Sequence, residues 1–133
     1  MKYKAFVRKL QNLELYRNEV KILDEQIQLL IYEMGGVKGV SFDQKGGTTN
    51  PEIKEEHRLD LIEKYNIKIA EKEFTEKEIS QIEGILGRMP EELKIMLDEV
   101  YIQGLTFRKV GQLHGYSGQG VWKLMKRECE RYL

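Results

Sequence analysis

The chain is short of cysteine, of proline and of long apolar runs, and each shortage closes off a class of protein. A single cysteine among 133 residues, Cys129, cannot staple the chain internally. No other Cys or His stands beside it at metal-ligand spacing, so a disulfide or zinc framework is excluded and a reducing compartment is the simpler assumption. The two prolines, Pro51 and Pro90, leave long stretches free of helix breakers. No apolar run approaches the roughly 20 residues that a membrane-spanning helix needs. Met1-Lys2-Tyr3-Lys4 leads into charged sequence rather than a signal peptide's apolar stretch. The expectation is a soluble, cytoplasmic protein with no membrane partner.

The signatures of catalysis are also missing. His57 and His114 lie far apart in the sequence and neither has metal-binding spacing. The glycine-rich stretch after Gly35 lacks the Lys-Ser/Thr of a phosphate-binding P-loop, and no Gly-x-Gly-x-x-Gly follows a strand. Cys129 has acidic neighbours, Glu128 and Glu130, which disfavour a thiolate, so it reads as structural. No catalytic residue, metal ligand or cofactor is expected, and the chain reads as something other than an enzyme.

What is present points to long amphipathic helices. Charged residues make up 33% of the chain and hydrophobic residues 41%, a mixture that favours an all-α fold with one small core and an arm rather than two full cores. The net charge is zero, yet residues 51–100 carry eight basic and fourteen acidic side chains, while residues 106–133 carry six basic and two acidic. A basic C-terminal segment behind an acidic middle suits a chain that meets phosphates only at its end.

Leu13, Tyr16, Val20, Leu23, Ile27, Leu30 and Met34 alternate spacings of three and four, which places them on one seam of a helix that continues back to Leu10 and Phe6. This predicts a helix over about 4–34. Gly35 to Asn50 holds five glycines and reads as a loop (35–50). A second helix is expected over about 51–87, with Pro51 in its first turn and Leu59, Ile62, Ile69, Ile79, Ile82 and Leu86 as apolar positions, although the phase slips near Glu73-Phe74. Residues 1–87 therefore form a helical arm, either a long antiparallel hairpin or a coiled coil that pairs with another subunit. Residues 88–133 form a small head. Pro90 starts a helix with Leu93, Met96, Leu97, Val100 and Tyr101 on its apolar face and Gly104 as its stop. Thr106 caps a short helix to about Leu113, His114-Gly115-Tyr116 makes a tight turn, and Ser117 caps the last helix.

Val110, Gly111, Gly115, Tyr116, Val121 and Leu124 fall where a helix-turn-helix needs an apolar residue, a small one at the helix crossing, a turn glycine and further core positions. In that arrangement the last helix lies in the major groove of DNA. Gly118, Gln119, Trp122, Lys123 and Lys126 then face outward, and Val121, Leu124 and Met125 face the protein. Gln119 suits a bidentate contact to adenine, and Lys123 or Lys126 the acceptors of guanine. Arg108, Lys109, Arg127 and the hydroxyls of Thr106 and Ser117 suit phosphates. Gly118 and Gly120 allow close backbone approach. Trp122 has two readings, an outward interface position or a ring folded onto the preceding helix.

Residues 90–133 resemble the region 4 DNA-binding module of bacterial sigma factors, whose pattern T-x-x-x-I-A-x-x-x-G-x-S-x-x-x-V stands here as TFRKVGQLHGYSGQGV. Two positions depart from it: His114 stands where leucine is usual, and Glu128 where a small apolar residue is usual. A long helix, then GVKGVSFDQKGGTTNP, then a second helix leading into this motif is similar to phage-encoded late transcriptional regulators of the ArpU and RinA type. The resemblance implies a phage or prophage protein in the cytoplasm of a Gram-positive host that activates late genes at promoter DNA. Double-stranded DNA is the expected partner, with bacterial RNA polymerase and a second copy of the chain, held through the arm, as further candidates. A small-terminase type of DNA-packaging protein and a structural coiled-coil adaptor are the alternatives.

Overall fold

The computed structural model describes residues 1–35 and 55–133. Most of the expected loop 35–50, and Pro51 with the first residues of the expected second helix, lie outside the described residues. Among those described, every regular element is helical: α1 (Tyr3–Gln11), α2 (Leu13–Glu33), α3 (Glu55–Gly87), α4 (Glu91–Leu97) with a π turn at Asp98–Ile102, α5 (Phe107–His114) and α6 (Gly118–Glu130). The chain is all-α.

The first expected helix is two. Asn12 sits between them at φ −92°, ψ 0°, still in the right-handed region but with ψ opened from its regular helical value, and asparagine's short polar side chain competes for backbone hydrogen bonds in the way that favours helix ends. The apolar phase survives the interruption, because Leu10 and Leu13 are both buried.

The residues form two compact units, Met1–Leu15 with Glu78–Leu133, and Tyr16–Lys77. The first unit is larger than the expected head of residues 88–133. Its core joins Phe6, Leu10 and Leu13 from the chain's start, Ile82 and Ile85 from α3, Leu93, Met96 and Leu97 from α4, and Val110, Val121, Met125 and Cys129 from the last two helices. The physical reason is area. The α4–α6 segment is too small to enclose its own apolar faces, and burying a side chain such as Phe6 contributes about 1.5–3 kcal/mol. Tyr3 and Tyr101 join hydroxyls at 2.9 Å, Lys9 bridges Glu78 at 2.9 Å, and Arg88 donates to the Tyr132 carbonyl at 3.0 Å.

In the second unit Leu23, Ile27, Met34 and Leu61 are buried, and Lys72 of α3 pairs with Asp24 of α2. Leu59, expected on the inward face, is 57% exposed, and Leu61 takes that role. The phase slip near Phe74 has a clear cause. Counting from Leu61 by alternating fours and threes gives Tyr65, Lys68, Lys72 and Thr75, all at least half-buried, so the middle of the inward face is polar. Phe74 points to solvent, while the Thr75 hydroxyl satisfies itself on the Glu71 carbonyl at 3.0 Å.

Candidate nucleic-acid interface

The helix-turn-helix is built by two caps and a glycine crossing. Thr106 and Ser117 each hold an extended backbone, and each hydroxyl accepts a backbone N–H three residues on, from Lys109 and from Gly120. These bonds satisfy amides that have no partner within the helix. Gly115 closes α5 in the left-handed region at φ 82°, and the Tyr116 amide then reaches back to the Gly111 carbonyl at 2.8 Å, a Schellman closure. A Cβ on Gly111 would collide with the Tyr116 carbonyl, so the turn fits only above a glycine.

Residues of α6 separate into rows four apart. Val121, Met125 and Cys129 are fully buried. Gln119, Lys123 and Arg127 form an exposed row, and Trp122 and Lys126 form a second exposed row beside it. Thr106, Arg108, Lys109 and Ser117 are exposed at the start of α5 and in the turn. One residue expected to face outward does not: Gly118 is half-buried, and a Cβ there would lie 3.1 Å from the Arg108 backbone nitrogen. Its contribution is close packing of α6 on α5.

Trp122 follows neither sequence reading fully. Its ring is 42% exposed, with the Lys126 ammonium 5.4 Å from the ring centroid in a cation–π arrangement, and it leans toward the start of α1, where Lys2 and Lys4 line the same groove. Arg127 shares Glu128 with Arg131, at 3.3 and 3.4 Å, so part of its charge is already engaged. Among the described residues no carboxylate pairs with Arg108, Lys109, Lys123 or Lys126, and these cations are available to an anionic partner.

Two features are illegible in the sequence. His114, in the position where leucine was usual, meets Glu99 of the π turn, Nε2 to Oε1 at 2.6 Å, with both side chains mostly covered. The π turn, marked by the Gln103 amide bonding the Asp98 carbonyl at 2.8 Å, directs Glu99 toward α5. Glu128, the other departure, is only half-buried and reaches the surface arginines, so its carboxylate stays solvated. Cys129 lies in the core, where burial first and the charges of Glu128 and Glu130 second push its thiol up to about 12. It stays protonated near neutral pH and is a poor nucleophile. Among the described residues no three His, Cys, Asp or Glu side chains gather as a metal site would require, and no helix is long and apolar enough to cross a membrane.

The arrangement presents an exposed helix face on which, among the described residues, Lys123 and Lys126 have no carboxylate partner. Comparison with protein-family models, with curated proteins and with solved structures finds no match.

Proposed function

We propose that the protein binds double-stranded DNA sequence-specifically, with α6 reading bases in the major groove, and that it regulates transcription. The observation that carries this reading is the exposed α6 face. Gln119 and Lys123 stand away from the buried row Val121–Met125–Cys129 and Lys126 stands on its flank, all three exposed, on a helix fixed by a capped, glycine-crossed turn. Gln119 offers adenine a bidentate partner and the lysines offer guanine donors, each good pair being worth about 1–3 kcal/mol of discrimination. Thr106, Ser117, Arg108, Lys109 and Arg127 serve phosphates. Promoter activation of phage late genes, and contact with bacterial RNA polymerase, are what the likeness to ArpU and RinA type regulators and to sigma region 4 adds to this reading.

The arm supplies a dimerisation surface in the same account. Ile22 and Leu29 stand seven residues apart along α2 and are 53% and 61% exposed, a spacing that suits a helix–helix seam. A dimer joined there would address half-sites one helical turn apart, about 34 Å. The same stripe favours a second reading, a packaging protein whose arms close a ring, and the mass in solution separates dimer from large closed oligomer.

Fluorescence anisotropy with duplex fragments of the neighbouring genome, at several salt concentrations, tests the proposal. Wild-type protein is expected to bind one fragment tightly, with affinity falling steeply as salt rises. A Lys123→Ala/Lys126→Ala variant is expected to lose that binding. No binding even at low salt would refute the reading.

A further inference from the structure

Beside the proposed reading face lies a groove of ≈ 680 Å³ in which Lys2 and Lys4, from the start of α1, stand with Trp122, Lys126 and Glu130 of α6. Trp122, Lys126 and Glu130 follow one another at four-residue spacing, so the groove runs along one edge of α6. One step earlier in the same row is Gly118, packed on the backbone of Arg108. The Arg108 backbone therefore closes the upstream end of this edge, with Lys126 in its middle and the two α1 lysines alongside.

Lys2 and Lys4 are exposed, and among the described residues neither pairs with a carboxylate. Phe6 and Leu10 already account for the packing of α1, which leaves these two side chains without a structural task. In the groove three lysine side chains face one acidic side chain, Glu130, while the Met1 ammonium lies beside Leu133, so its field favours an anion. Resting on the DNA-binding reading, we propose that Lys2 and Lys4 contact backbone phosphates of the strand that passes along this edge of α6. The DNA footprint then includes α1 as well as the helix-turn-helix. Such contacts add affinity and register but no base preference, because phosphates are the same at every position.

Anisotropy titrations of the full chain against its preferred duplex and a scrambled duplex, over a range of salt, provide the test. Neutralising two phosphate contacts lowers the slope of log affinity against log salt by about 1.8. Lys2→Ala/Lys4→Ala is expected to show that loss, with an unchanged ratio of affinities for the two duplexes and an unchanged thermal melt. Lys2→Arg/Lys4→Arg is expected to keep the wild-type slope. A slope unaltered by the alanine pair, in a protein that otherwise binds normally, would overturn the proposal while leaving the DNA reading in place. Wild-type protein that binds neither duplex would overturn both.

Discussion

Glu99 and His114 show what a single residue in an unexpected place requires of its surroundings. A carboxylate at 9% exposure is tolerated because the imidazole 2.6 Å away bonds to it. The pair spans the π turn and α5, so it ties the helix-turn-helix to the element before it. Replacing His114 with alanine leaves the buried acceptor without its partner and is expected to cost about 1–3 kcal/mol in urea unfolding. The double replacement Glu99→Leu/His114→Leu removes both polar groups together and is expected to recover most of that loss. A double variant as unstable as His114→Ala would show that the pair is not what sets the cost. Sequence reading found His114 by its departure from a familiar pattern and could not find Glu99, because the partnership depends on a π turn that has no sequence signature of its own.

At the scale of the elements, glycines with the same side chain have opposite tasks. Gly111 lies under the Tyr116 carbonyl with no room for a methyl group, whereas Gly84, inside α3, has no atom within 4 Å of where a Cβ would stand. Gly111→Ala is expected to destabilise by about 1–3 kcal/mol through overpacking at the crossing. Gly84→Ala is expected to stabilise by up to about 1 kcal/mol, because alanine loses less conformational freedom in a helix. Thermal melts of the two variants should move in opposite directions, and movement in the same direction would contradict the crossing geometry. The helices themselves were largely legible, since caps at Thr106 and Ser117 and the stop at Gly104 are local chemistry. The inward face of α3 was legible only in part: Ile62, Ile69, Ile79, Ile82 and Leu86 are at least partly covered as expected, but Lys68, Lys72 and Thr75 hold positions where periodicity looks for apolar residues, and Leu59 faces solvent. The break at Asn12 was equally hidden, since the apolar phase runs through it.

At the scale of the whole molecule, the candidate DNA-binding unit is assembled from both ends of the chain. The buried Phe6 and Leu10 belong to the same core as Met125 and Cys129, a pairing across more than a hundred residues that no local pattern announces. For that reason the exposed row on α6 was legible, and the lysines of α1 beside it were not. The charge pattern agrees with one anionic partner at one place: the acidic stretch 51–100 repels phosphates, while the basic 106–133 segment attracts them. Sequence-specific regulation requires α6 to read bases rather than merely be attracted to phosphate. The most direct measurement is selection of bound duplexes from a random pool by the wild-type protein and by Gln119→Ala. A defined consensus is expected for the wild type and loss of preference at one adenine-bearing position for the variant. Sequences recovered without enrichment, or an identical consensus from both proteins, would contradict base reading by α6.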